Sequence, residues 1–317
     1  MIKYSFLLCC WNLDVSLIKR MLDSIPQRDD IEILLLDNAS NNSSNGQSIY
    51  ASLEGERTRV ILHPSRISLG ECRNHLIGLA QGEWIIFADV DDIFFTEELN
   101  RVLDSAATTD YDLVYWGTKT FYTDGKIVDD SYGYQGTEIQ PLRNRDYLIQ
   151  HRFEAWRKMV RRDLLMQHSE VRFAPCILCE DVLYSINLLL ATSKVGVYPP
   201  LVYSYVRDDA SILGSKRSMK EVKQALSCMF QALDILHAHG YSLVEQEVSK
   251  ACLIRMRWIS KIQFFRYLLY EWHRYGWALF YRDLVGAGFE TYETNILKAL
   301  FSYMRVKLGA LKRSFSK

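Results

Sequence analysis

The sequence predicts an α/β protein with a mostly parallel, doubly wound sheet, followed by an α-helical C-terminal region. Three observations lead to this prediction. Short apolar runs alternate with amphipathic helical patterns through the first half of the chain. Polar residues follow three of these runs, as expected where a parallel sheet has its ligand crevice. From about residue 214 the pattern changes to long helical stretches with few turn signals.

The first half of the chain supplies four predicted strands joined by short crossovers. The strands lie at Tyr4–Trp11, Ile31–Leu36 and Arg59–Leu62, with a fourth starting at Trp84. Leu13–Ile25 has an amphipathic helical pattern. Ser68 and Glu71 have the spacing of a capping box, so a helix is expected from there to about Gln81.

The following elements are predicted from shorter patterns. They are a helix at Glu97–Ala107, a strand at Leu113–Phe121 with a hairpin return at Ile127–Val128, a short helix near Asp146–Gln150, a strand at Phe153–Val160, a short helix after Arg162, an apolar helix at Val182–Ala191, and strands at Lys194–Val197 and Leu201–Val206. We predict a first domain over residues 1–213 and a helical region, rich in basic and aromatic residues, over residues 214–317.

Three acids follow the fourth strand at once, as Asp89, Asp91 and Asp92. Carboxylates this close raise one another's pKa unless a cation lies between them. If the strand continues, Asp89 and Asp91 point the same way and face one hard divalent ion. The alternative is that Asp91 or Asp92 caps the helix starting near Thr96, with the remaining acid solvated.

Charge is unevenly distributed in a chain whose formal net charge is zero. Residues 216–317 carry 17 Lys and Arg against 8 Asp and Glu, whereas residues 1–215 carry 21 against 30. A basic tail suggests an anionic partner, either a membrane surface or nucleic acid.

No apolar run approaches the roughly 18 residues of a spanning helix, and no signal peptide is visible. Seven scattered cysteines favour reduced thiols and a cytoplasmic location.

The order of the motifs resembles family 2 glycosyltransferases, which are inverting nucleotide-sugar enzymes of GT-A fold, especially the bacterial polysaccharide-type members. The resemblance covers roughly residues 3–212. It is carried by Cys9-Cys10-Trp11-Asn12, Asp37-Asn38-Ala39-Ser40, Glu71-Cys72-Arg73-Asn74, Asp89-Val90-Asp91-Asp92 and Glu180-Asp181. Trp11 stands where the family has Tyr, and Asn38 stands where it has Asp.

The resemblance implies a nucleotide site at the ends of the strands. Asp37 would hydrogen-bond a uracil ring, with Asn38 as the other candidate, and Arg73 would lie near the nucleotide unless it is a surface cation. The implied metal ligands are Asp91 and Asp89, for Mn²⁺ or Mg²⁺. The remaining implied contacts to the nucleotide are Cys9, Trp11, Asn12, Val90 and Arg207.

The resemblance also implies a general base at the start of the apolar helix. Asp181 would take the proton of the acceptor hydroxyl as that hydroxyl attacks opposite the leaving group, and Glu180 would be its neighbour and an acceptor contact. The alternative is that both are ordinary acids of a helix N-terminus. Trp156 is either a sugar-stacking residue or a buried strand residue.

The implied activity is transfer of a single sugar from a nucleotide-diphosphate sugar, with UDP as the expected nucleotide, to a glycan or lipid-linked acceptor in cell-surface polysaccharide synthesis. The basic tail would lie on the inner face of the membrane, or else pack on the first domain or form a homodimer; nucleic-acid binding is not expected.

Two alternative functions are a nucleotidyltransferase and a degenerate, non-enzymatic subunit that binds membrane or a partner. The first needs a Gly-rich loop after the first strand, which Leu13-Asp14-Val15-Ser16 does not provide.

Overall fold

A computed structural model describes residues 1–41, 48–122, 124–207, 218–241 and 273–275. Its strands form one sheet of ten. They are β1 (Tyr4–Cys10), β2 (Ile31–Asp37), β3 (Thr58–Leu62), β4 (Trp84–Asp89), β5 (Ile93–Phe94), β6 (Leu113–Tyr122), β7 (Ile127–Asp130), β8 (Gln140–Pro141), β9 (Lys158–Arg161) and β10 (Val195–Arg207). The helices are α1 (Val15–Ser24), α2 (Leu69–Leu79), α3 (Thr96–Ala106), α4 (Arg145–His151), α5 (Arg162–Gln167), α6 (Glu180–Ala191) and α7 (Met219–Ala238).

The sheet has the order β3-β2-β1-β4-β9-β6-β10-β5. β1 pairs in parallel with both β2 and β4, and β2 pairs in parallel with β3. This parallel half confirms the predicted α/β class. β1, β2 and β4 are buried along nearly their whole length, which explains why they appear in the sequence as continuous apolar runs, whereas the edge strand β3 is partly exposed.

The second half of the sheet contains antiparallel pairs. β9 lies between β4 and β6 and is antiparallel to both. The predicted strand at Phe153–Val160 is wrong in its first part, because Ala155–Arg157 forms a 3₁₀ turn and the strand starts at Lys158. The two predicted C-terminal strands form one strand, β10, whose register against β6 shifts between Tyr198 and Tyr203. Pro199 and Pro200 lack N–H groups, so regular pairing breaks there without ending the strand.

The predicted starts of two helices can be compared with the observed caps. The capping box of α2 is confirmed, since Ser68 Oγ accepts from the Glu71 N–H and the Glu71 carboxylate accepts from the Ser68 N–H. α3 has Phe95 at its N-cap, with no side-chain cap. Neither Asp91 nor Asp92 therefore caps α3, and that alternative is wrong.

The chain divides into two compact units, Met1–Asp234 and Ile235–Lys317. The predicted boundary near Leu213 falls outside the described residues, as does most of the basic and aromatic region, so the division at 213 stays a prediction. In the part of the chain that the structure describes, no helix is both long and apolar enough to cross a membrane.

Candidate active site

The parallel register brings the ends of three strands together at one edge of the sheet. Cys10 lies beside Asp37, and Cys9 lies beside Asp89. The polar residues that follow β1, β2 and β4 therefore share one edge, as the sequence pattern indicates.

Asp37 lies behind this edge, fully buried. One carboxylate oxygen accepts from the Ser40 N–H at 2.9 Å and the other from the Ser48 hydroxyl at 2.5 Å. Ser40 Oγ in turn accepts from the Asn12 N–H at 2.9 Å. Asp37 thus fixes the backbone that follows β2, while its contact with a base stays a prediction.

Asn38 joins the end of β2 to the segment before α2. Its amide donates to the Ile67 carbonyl at 2.8 Å, and its carbonyl oxygen accepts from the Ile67 N–H at 2.9 Å. Both the amide nitrogen and the carbonyl oxygen of the side chain are thus used, and Asn38 connects the end of β2 to the segment before α2.

The residues after β1 form an exposed corner. Asn12 has a φ of 51°, a left-handed conformation that Asn tolerates better than most residues, and its side-chain oxygen accepts from the Asn41 N–H at 2.8 Å. Trp11 is 37% exposed, and the Arg66 guanidinium lies 3.4 Å above the centre of its ring. Arg66 therefore covers one face of the indole at this sheet edge.

Arg73, on α2, connects acids that are far apart in the sequence. Its guanidinium bonds Asp89 Oδ1 at 2.9 Å through Nη2 and Glu180 Oε1 at 2.7 Å through Nη1. Arg73 is 5% exposed and Glu180 is 6% exposed. The interpretation of Arg73 as a surface cation is wrong. This bridge places the end of β4 and the start of α6 in one site.

The acids after Asp89 do not continue the strand. The Asp92 N–H donates to the Asp89 carbonyl at 3.2 Å and closes a turn over Val90 and Asp91, so the expected strand alternation of Asp89 and Asp91 does not apply. Val90 is buried, whereas Asp91 is exposed and its carbonyl accepts from the Arg20 guanidinium.

Asp92 holds this turn against β10. Its carboxyl oxygens accept from the Tyr203 hydroxyl at 2.8 Å and the Val206 N–H at 3.0 Å. The same Tyr203 oxygen accepts from the Asp89 N–H at 3.0 Å. Burial raises the pKa of Asp92 to about 8, and the carboxylates of Asp89 and Asp91 act in the same direction. Asp92 therefore connects the acidic turn to β10 through buried hydrogen bonds.

Glu180 and Asp181 form the first turn of α6, after Cys179 in a left-handed conformation with a φ of 61°. Burial raises the pKa of Glu180 to about 8; Asp181 acts in the same direction and Arg73 opposes both. Burial also raises the pKa of Asp181, and Arg73 opposes that shift. The position at a helix N-terminus favours the ionised carboxylate.

Lys158 is a polar residue of this region to which the sequence assigns no role. It is 1% exposed on β9, and its ammonium donates to Phe153, Glu154 and Ser185 at 2.8 to 3.1 Å. Lys158 directly follows Arg157, and Arg161 ends the same strand, so the charge pattern of this stretch does not mark Lys158 as buried.

Two further predicted residues can be located. Trp156 stacks on Tyr203 and Tyr205, with ring centres 4.7 and 5.2 Å away, and is 6% exposed, which agrees with the buried alternative. Arg207 ends β10, and its side chain lies outside the described part of the structure.

The donor set at the acidic turn fits a divalent ion bound together with a diphosphate. Asp89, with a side chain 35% exposed, and the exposed Asp91 offer hard oxygen ligands. Within the described ranges no three His, Cys, Asp or Glu side chains are grouped to hold a metal by themselves. Mg²⁺ commonly takes one or two carboxylates and completes its shell with water and substrate phosphates.

The fold is that of an α/β protein of GT-A type. Its structure is similar to that of Staphylococcus aureus TarS residues 1–349 in complex with UDP-GlcNAc, with a TM-score of 0.62 and 19% identity over 82% of this chain and 74% of that one. The complex of the same TarS fragment with UDP gives a TM-score of 0.58 at 18% identity, over 80% and 70% of the two chains.

The sequence comparisons identify the family. The model of glycosyl transferase family 2 matches residues 5–168, about half of the chain. The chain therefore belongs to glycosyl transferase family 2. It is also 29% identical over 174 residues to EpsH of Bacillus subtilis (strain 168), which is named as a glycosyltransferase; the match covers 52% of this chain. The chain spans about half the length of that relative, 48%.

Proposed function

We propose that this chain is a metal-dependent, inverting glycosyltransferase that moves a single sugar from a UDP-sugar to a hydroxyl of a glycan or lipid-linked acceptor. The observation that carries the proposal is the double ion pair of Arg73 with Asp89 and Glu180. It joins the acidic turn after β4 to the helix start that bears Asp181. The proposed metal site and the proposed base would therefore adjoin one another.

The proposed division of labour follows from the positions of these side chains. In this proposal Trp11 and Asn12 would contact the base, and Cys9, Asp37 and Asn38 would lie behind them. Asp91 and Asp89 would hold the divalent ion, which neutralises charge on the departing diphosphate when bound.

Asp181 accepts the proton of the attacking hydroxyl, and Glu180 is its neighbour and an acceptor contact. Attack from the face opposite the diphosphate inverts the anomeric centre. Val90 and Arg207 stay predicted nucleotide contacts.

The choice of UDP is supported by the TarS fragment, which was solved with UDP-GlcNAc and with UDP. A role in polysaccharide synthesis at the inner face of the cell membrane is part of the proposal. Membrane contact or dimerisation through residues 214–317 is also proposed, from the charge and aromatic content of that region alone.

A thermal-shift titration tests this function. UDP and Mn²⁺ together should raise the melting temperature of the wild type far more than either does separately, because each completes the other's site. Asp91→Asn should abolish the joint effect. Arg28→Met, which changes an ion-paired residue far from the edge, should keep it. A screen of nucleotide sugars for donor hydrolysis then identifies the sugar.

Two results would contradict the proposal. Equal shifts with Mn²⁺ present and absent would remove the metal dependence. A complete lack of response to both ligands, together with no hydrolysis of any donor, would favour the non-enzymatic subunit.

A further inference from the structure

Lys158 lies in the interior next to the acids at the start of α6. Its ammonium donates to the Phe153 carbonyl at 3.1 Å, the Glu154 carbonyl at 2.9 Å and the Ser185 hydroxyl at 2.8 Å. The rings of Tyr115 and Tyr184 flank the ammonium, with centres 5.2 and 5.9 Å from Nζ. A lysine is almost never buried this deeply unless its charge is compensated.

The hydrogen bonds are those of the charged form. Ser185 Oγ donates its own proton to the Phe153 carbonyl, so it can only accept from Lys158. All three neighbours of Nζ are then acceptors, which matches an ammonium with three N–H donors and not a neutral amine with two. The faces of two aromatic rings also favour a cation.

The position of Ser185 relates this charge to Asp181. Ser185 lies four residues after Asp181 on α6, so both occupy the same face of the helix, one turn apart. Lys158 is thereby fixed to the face of α6 that carries the candidate base.

The charged groups acting on Lys158 are the carboxylates of Asp181 and Glu154 and the guanidinium groups of Arg157 and Arg73. Burial lowers the pKa of Lys158 to about 7, and the two carboxylates oppose that shift. Around Asp181 the acting groups are Arg73, Glu154, Lys158 and the adjacent Glu180, and Lys158 opposes the increase in pKa caused by burial. Of the two carboxylates, Asp181 has the larger effect on Lys158, since Glu154 also lies 3.0 Å from the Arg157 guanidinium. Asp181 is stabilised in its charged form first by Arg73 and then by Lys158.

We propose that Lys158 is a positioning residue for the reaction: its buried ammonium keeps Asp181 ionised and the first turn of α6 in place, so that the carboxylate is ready to take a proton from the acceptor hydroxyl. The catalytic part of this inference rests on the proposed function. The electrostatic part concerns only the folded protein and can be measured without turnover.

The first test follows the carboxyl resonances of ¹³C-labelled aspartates through a pH titration, with Asp181→Asn to assign the signal. Lys158→Met has a similar volume and no charge, and it should raise the pKa of Asp181 by about one unit or more, because an opposite charge is lost. Lys158→Arg keeps the charge and should leave the pKa close to that of the wild type. An unchanged pKa in Lys158→Met would overturn the proposal.

The coupling must also be visible from the other side, since linkage between two sites is reciprocal. In Asp181→Asn the pKa of Lys158, read from its ¹³Cε resonance, should fall by about one unit or more, the same size of change as expected for Asp181 in Lys158→Met. This arm decides the question even if Lys158→Met fails to fold, because the Asn variant is nearly isosteric. A Lys158 pKa that does not change would overturn the coupling.

The catalytic role is read from the pH dependence of kcat/KM for sugar transfer. In Lys158→Met the acidic limb of the profile should move to higher pH, while kcat/KM at the alkaline end approaches the wild-type value. In Lys158→Arg the acidic limb should lie at the same pH as in the wild type. A uniform loss of rate at every pH would show a merely structural role and overturn the proposal. If the wild type transfers no sugar, the proposed function fails, and the two titrations still decide whether Lys158 governs the charge of Asp181.

Discussion

At the scale of single residues, Arg73 determines how the site is organised. One buried guanidinium satisfies a carboxylate after β4 and another at the start of α6. The sequence predicts Arg73 near the nucleotide only through the resemblance to a family. Its two ion pairs could not be predicted, because α2 and α6 are separated by about a hundred residues and meet only through tertiary packing.

Replacing Arg73 by Met should lower the free energy of unfolding by about 3–5 kcal/mol at a pH above the Glu180 pKa of about 8, because the ionised Glu180 is then buried without its counter-charge. Urea denaturation followed by circular dichroism measures this. Adding Glu180→Gln to Arg73→Met should recover part of the loss, since the unpaired carboxylate is then absent.

Arg28→Met is the matched control. Arg28 also pairs with two carboxylates, Asp30 and Asp104, but its side chain is 21% exposed and water replaces the lost contacts. Arg28→Met should lower the free energy of unfolding by no more than about 1 kcal/mol. An Arg73→Met protein as stable as Arg28→Met would contradict the importance of the buried pair.

At the scale of elements, the site depends on how closely α2 approaches the segment before α6. A Cβ at Gly70 would lie 1.8 Å from the Ala174 carbonyl oxygen and 3.2 Å from Glu180 Cβ. The Gly70 N–H also donates to the Cys176 carbonyl at 3.3 Å. Glycine is therefore required where the loop before the acid pair crosses the first turn of α2.

Gly70→Ala should destabilise the protein by about 1–3 kcal/mol, because the backbone at Ala174 must move to relieve the overlap. Gly78→Ala is the control on the same helix: it is exposed, nothing lies within 4 Å of its added Cβ, and it should stabilise by about 0.5–1 kcal/mol through helix propensity. Denaturant titrations of both variants measure the difference. A Gly70→Ala variant that gains stability like Gly78→Ala would show that this contact does not constrain the loop.

At the scale of the whole molecule, the sequence predicts the parallel half of the sheet better than the rest. The strands of that half are continuous apolar runs with polar ends, so Asp37 and Asp89 could be placed at one edge before the structure was known. The two-residue strands β5 and β8 and the antiparallel insertion of β9 could not be predicted, since such short elements depend on their partners in the sheet.

The same limit applies to the site. In the sequence Asp92 belongs to the same acidic run as Asp89 and Asp91. In the structure its carboxyl oxygens accept hydrogen bonds from Tyr203 and Val206, on a strand more than a hundred residues away. The burial of Lys158 could not be predicted, because Ser185, the acceptor that connects it to α6, is brought next to it only by the fold.

The central claim is that distant acids converge so that Asp181 can act as the base beside a metal-bound nucleotide. The most direct measurement compares sugar transfer and UDP–Mn²⁺ binding in the wild type and in Asp181→Asn. We expect the transfer rate to fall by about 10²–10⁴-fold, the usual contribution of a general base, while the joint thermal shift with UDP and Mn²⁺ stays close to that of the wild type. Full turnover in Asp181→Asn, or loss of nucleotide binding equal to the loss of rate, would contradict the assignment.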